Sequence, residues 1–119
     1  RRYARTMIKV KRVYDPPERA DGFRVLVDRL WARGLSKEKA HVDLWAKDVS
    51  PSTGLRQWFG HDPERWDRFR DRYREELKSG EALPALKKEL RRHKNVTLLY
   101  GAKDPLHNNA VVLSEVLAR

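Results

Sequence analysis

The residues of this chain best suited to chemistry fall in three stretches. In the first, Tyr100, Lys103, His107, Asn108 and Asn109 follow an apolar run and lead into a helix opened by Asp104-Pro105. A helix start offers unpaired N–H groups and the positive end of the helix dipole, which together suit an anion. The plainer alternative is that Asp104 only caps the helix and its amides face water. The spacing matches no phosphate loop, because one Gly is present and no Gly-Lys-Ser/Thr follows it. The second stretch is Asp28 to Gly34, where Asp28 ends a dense apolar run and Arg29 and Arg33 follow. A carboxylate there is costly to bury unless it is paired, and Arg24, Arg29 or Arg33 can supply the partner. In the third, Lys47 and Asp48 precede a helix capped by Ser52, and His61 flanks the next helix start. A neutral imidazole at such a place can act as a general base.

Asp28 and His107 are therefore the candidate catalytic pair. Arg29, Arg33, Lys47, Asp48, Ser52, His61, Tyr100, Lys103, Asn108 and Asn109 are the candidate ligand-binding residues. The chain has no cysteine, which removes thiolate nucleophiles, disulfides and Cys-containing zinc sites. His41, His61, His93 and His107 show no metal-ligand spacing, so neither a metal nor a cofactor is expected. Trp45, Trp58 and Phe59 read as core before they read as a base-stacking platform.

The elements that must position these groups follow from periodicity. Ile8, Val10 and Tyr14 alternate on a half-exposed strand that Asp15-Pro16-Pro17 ends. Residues 23–31 predict a central strand, residues 42–49 a short strand or an extended segment, and residues 96–100 a strand buried on both faces. Ser36 caps a short turn through Ala40, and Ser52 caps a helix that stops at Gly60. Asp62-Pro63 opens another helix, on which Trp66, Phe69, Tyr73 and Leu77 share one stripe. A helix over 81–92 buries Leu83, Leu86 and Leu90, and a last helix runs to about Leu117. The expected fold is α/β: a small, mostly parallel sheet of about four strands with helices packed on it, forming a single domain over 1–119 with a flexible tail at 1–6. In such sheets ligands collect beyond the carboxyl ends of the strands.

Taken together, the segments Val25–Gly34, Trp45–Asp48, Pro51-Ser52, Leu55–His61, Leu98–Tyr100 and His107–Ala110 resemble the domain-of-unknown-function 488 family, in its short YeaO-like branch. The resemblance runs from about Ile8 to Leu117. It implies a compact α/β sheet domain with a pocket, and it brings no established activity. Ala32 stands where the family pattern usually has Pro. Longer relatives look as though they carry Cys-His-Arg where this chain has His107-Asn108-Asn109, so any thiol chemistry of theirs is not open here.

The formal net charge of +10 attracts polyanions at long range. Residues 1–50 carry 13 Lys or Arg against 7 Asp or Glu, and residues 51–119 carry 14 against 10. The charge is thus spread along the chain, as on a solvated basic surface. No apolar run approaches the roughly 20 residues that span a bilayer, and a cytoplasmic location is the default expectation. Three functions follow. The leading one is a site for an anionic, phosphate- or nucleotide-like small ligand at the strand ends, with hydrolysis as a further possibility. The second is nucleic-acid binding by the Arg-rich helix Arg65–Arg74, although Asp67, Asp71, Glu75 and Glu76 interleave with its guanidiniums. The third is an interaction module without catalysis.

Overall fold

A computed structural model describes residues 5–118. Four parallel strands form one sheet: β1 (Met7–Arg12), β2 (Phe23–Leu26), β3 (Leu44–Trp45) and β4 (Asn95–Tyr100), in the order β1-β4-β2-β3. The helices are α1 (Lys37–Ala40), α2 (Thr53–Phe59), α3 (Trp66–Ser79), α4 (Ala82–Leu90) and α5 (Asn109–Leu117). Short 3₁₀ turns stand at Arg19–Asp21, Lys47–Val49 and Pro63–Arg65. The expected α/β architecture is therefore present, and the sheet is wholly parallel. No helix among the described residues is long and apolar enough to cross a membrane.

Alternation along the two central strands divides the core. Val25, Val96, Leu98 and Tyr100 face the larger side, where they meet Phe59 of α2, Tyr73 of α3 and the apolar faces of α4 and α5. Leu26 and Leu99 face the other side, which holds Val13, Ala32 and Ala40, with Trp31 and Trp45 packed against them. Each such side chain, fully removed from water, contributes about 1.5–3 kcal/mol. Tyr73 is fully buried, and its hydroxyl donates to the Val49 carbonyl, so its polar tip is satisfied.

The caps read from the sequence hold at Ser36, Ser52, Gly60 and Asp62. Three boundaries differ. β2 pairs only through Leu26 and not to Trp31. Val27 keeps one backbone bond to the sheet, its N–H donating to the Leu99 carbonyl, and the chain then bends at Asp28–Leu30. The run 42–49 pairs only at Leu44–Trp45 and then tightens into a 3₁₀ turn, because a two-residue edge strand has no further ladder to follow. Asp104 does not cap the last helix. Its carboxylate accepts from the Leu106 and His107 N–H groups of a preceding turn, and Asn108 caps α5 by accepting from the Val111 N–H. Residues 1–4 of the expected tail lie outside the described residues. At its other end the Thr6 hydroxyl donates to the His93 carbonyl at 2.9 Å.

The amino end of the sheet is closed by charge. Asp21 is wholly buried, and its carboxylate accepts from the Glu18 N–H, Lys9, Lys11 and Arg24, the last at 2.5 Å. Burial alone would raise this carboxyl, but those four donors outweigh it and hold the group well below the usual carboxylate range. Arg24, also buried, donates onward to the Ala40 and His41 carbonyls, and the Thr97 hydroxyl donates to the Asp21 carbonyl. Gly22 beside it has φ 66°, and a Cβ there would lie 2.3 Å from the Asn95 carbonyl oxygen. Only glycine fits that crossing.

Candidate functional site

At the opposite, carboxyl end the strands release their chains around a cleft of about 380 Å³. Asp28 stands two residues past β2 and Gly101 one residue past β4. The Gly101 N–H donates to Asp28 Oδ2 at 2.8 Å and ties the two central strands together. A Cβ on Gly101 would sit 3.2 Å from that oxygen, so the close approach depends on the missing side chain. The Asn109 amide, at the start of α5, donates to the Val27 carbonyl at 2.9 Å. That bond occupies an acceptor left over where β2 stops pairing. Burial raises the Asp28 carboxyl, opposed by the Gly101 and Asn109 donors and by the charges of His61 and Arg56. No cation forms an ion pair with Asp28 among the described residues, so the expected partnership with Arg24, Arg29 or Arg33 does not occur.

The cleft walls carry positive charge. Arg29 and Arg33 come from the bend after β2, Arg56 from the exposed side of α2, and His61 from the turn after it. None of the three guanidiniums forms an ion pair among the described residues, and the buried Arg29 Nε has no hydrogen-bond partner there. Each guanidinium offers five donors in a planar fork that matches carboxylate and phosphate oxygens. His61 is exposed and sits in a left-handed turn at φ 58°. The floor is apolar, formed by Phe59 and Phe69 stacked at 4.3 Å between ring centroids.

Of the residues singled out in the sequence, Asp28, Arg29, Arg33, His61, Asn108 and Asn109 line this cleft. The others do not. Lys47 lies over the Trp45 ring, 4.0 Å from its centroid. Asp48 and Ser52 line a neighbouring hollow of about 200 Å³, which Arg29 also borders. The Ser52 hydroxyl and N–H both donate to Glu76. Tyr100 is a core residue, and burial raises its phenol. Lys103 points to solvent. His107 is bonded through Nδ1 to Asp104 at 2.8 Å and packs edge-on against Trp66, so it does not join Asp28 as the anticipated pair. Two contributors went unrecognised in the sequence. Arg56, exposed, stands one helical turn before the buried Phe59, a spacing that lets both reach the cleft. Tyr14 sits just past β1, and its hydroxyl donates to the Arg33 carbonyl at 2.8 Å, fixing the cleft rim.

The Arg-rich helix is largely engaged with its own neighbours. Arg70 and Arg74 share Glu115 of α5, Arg65 pairs with Asp62, and Arg72 lies over the Trp58 ring. Among the described residues no group of three or more His, Asp or Glu is placed to hold a metal.

Comparison with known proteins brings out one family. A family model described as "Inactive DUF488-N3 subclade" matches residues 7–119. The chain is 43% identical over 112 residues to the uncharacterised protein Rv3073c of Mycobacterium tuberculosis, covering 94% of each chain. It is 42% identical over 110 residues to the uncharacterised protein YeaO of Escherichia coli, covering 92% of this chain and 96% of the relative. No solved structure matches.

Proposed function

The chain belongs to the DUF488 family, in the branch described as its inactive N3 subclade, and we propose that it binds a small anionic ligand, phosphate- or nucleotide-like, in the cleft at the carboxyl ends of its strands. One observation carries this reading: Arg29, Arg33 and Arg56, none of them ion-paired among the described residues, line a single hollow. Three arginines against one carboxylate, Asp28, leave an excess of positive charge at the cleft, which costs electrostatic energy and which an anion between them relieves. Asn108 and Asn109 line the same cleft, with the Asn108 side chain taken up by the α5 cap and the Asn109 amide by the Val27 carbonyl.

Binding without turnover fits the residues better than hydrolysis does. The two hydroxyls on the cleft wall are both engaged, that of Ser50 donating to the Lys47 carbonyl at 2.5 Å and that of Tyr14 to the Arg33 carbonyl. Asp28 is held by a backbone amide, with His107 engaged elsewhere. The word "inactive" in the family description agrees with that assignment.

The test is a thermal unfolding series in sodium phosphate against sodium chloride at matched ionic strength. A ligand that binds only the folded state stabilises it by about 2.7 kcal/mol at a hundredfold excess over Kd. Phosphate should raise Tm beyond chloride, with a saturating dose response. Equal effects of the two salts would contradict the proposal. They would leave the net charge as a nonspecific, salt-screened attraction for polyanions.

A further inference from the structure

We infer that the ligand of this cleft is an organic anion with a flat aromatic body, an aromatic phosphate monoester in class, and not a free inorganic ion. The inference rests on the anion-binding reading above and adds the chemistry of the ligand's uncharged part.

The cleft is too large and too apolar for a tetrahedral oxyanion alone. Its volume of about 380 Å³ falls within the roughly 300–1,000 Å³ usual for sites that enclose small organic molecules. Positive groups stand on its walls, but its floor is the stacked Phe59–Phe69 pair. Its rim holds Leu30 and Tyr14, which are 62% and 39% exposed. Four large hydrophobic residues are exposed among those described, and two of them meet at this one opening. Leu30 ends the bend after β2, and Tyr14 is held by its hydroxyl and by the Arg12 guanidinium, 4.8 Å from its ring centroid. A ring entering between rim and floor would be covered on both faces, leaving its phosphate against the forked donors of Arg33 and Arg56. Aromatic surfaces favour offset stacking with a flat partner, and arginine grips the oxyanion.

The experiment compares inorganic phosphate, phenyl phosphate and phenol by isothermal titration at constant ionic strength. Phenyl phosphate should bind about tenfold or more tightly than inorganic phosphate, the gain expected from burying a phenyl ring, and phenol should bind weakly. Leu30→Ser, at an exposed position, should cut that preference about threefold while leaving the affinity for inorganic phosphate unchanged. Arg33→Ala should weaken both phosphates alike. Equal affinities for inorganic and phenyl phosphate would overturn the aromatic-body inference and leave the anion site standing. If neither phosphate binds, both readings fail. If phenol binds as tightly as phenyl phosphate, the cleft is an apolar pocket and the assignment of an anion is wrong.

Discussion

Two aspartates flank the same short strand and lead opposite lives. Asp21, before β2, is sealed in an ion cluster with Lys9, Lys11 and Arg24. Asp28, after β2, has a backbone amide from Gly101 and no ion pair, although three arginines border its cleft. The same residue types therefore serve two ends. Where charges are matched and dry, they fix the fold. Where three arginines line a hollow with one carboxylate, they carry unmatched charge, the feature on which the proposed anion site rests. Charge composition alone cannot separate these cases; pairing does.

The comparison breaks most sharply at the closed end. Asp21→Ala leaves the buried Arg24 without a counter-charge, although Lys11 keeps Glu18, and should cost about 3–5 kcal/mol in urea unfolding. The native contribution of Asp21 follows the rule for a depressed carboxyl: it is present above the unfolded value of about 4 and lost as pH falls toward the lower folded one. Next is a contrast between glycines. Gly22→Ala combines a positive φ with a 2.3 Å clash against backbone and should cost about 2 kcal/mol or more. Gly101→Ala meets only the Asp28 carboxylate at 3.2 Å, at ordinary φ, and should cost about 1 kcal/mol.

Asp28→Asn sharpens the comparison with an effect of opposite sign. Burial raises this carboxyl, so its contribution to stability falls as pH rises through the unfolded and then the folded value. Asparagine keeps an acceptor for the Gly101 N–H and carries no charge. The variant should therefore melt above the wild type at pH 7, with the difference closing below about pH 4. A difference that persists or grows in acid would remove burial as the cause.

Much of the frame was legible because it rests on local rules. Ser52 and Gly60 bracket α2, and the stripe Trp66, Phe69, Tyr73 and Leu77 faces inward at helical period apart from the half-buried Trp66. Near-continuous apolar character marked β4 as a doubly covered strand. The same rules gave less at the site. Asp28, Arg29 and Arg33 were visible together because one short loop carries them, but Arg56 and Tyr14 reach the cleft from other elements, through packing that no short window encodes. Lys47 and His107 misled for a shared reason: each has a local partner, the Trp45 ring and the Asp104 carboxylate, that satisfies it before the cleft can. The sequence stripe 65–74 misled in the same way, since Glu115, which binds Arg70 and Arg74, lies far along the chain.

The most direct measurement sets two double variants of equal charge side by side. Arg33→Ala/Arg56→Ala removes two cleft cations, and Lys37→Ala/Lys39→Ala removes two exposed ones on α1. All four are surface positions, so each pair should change stability by no more than about 1 kcal/mol. Titrated with sodium phosphate at fixed ionic strength, the α1 variant should bind as the wild type does, and the cleft variant should lose tenfold or more in affinity. Equal losses in the two variants, or none in either, would mean that the bulk charge and not the cleft meets the anion.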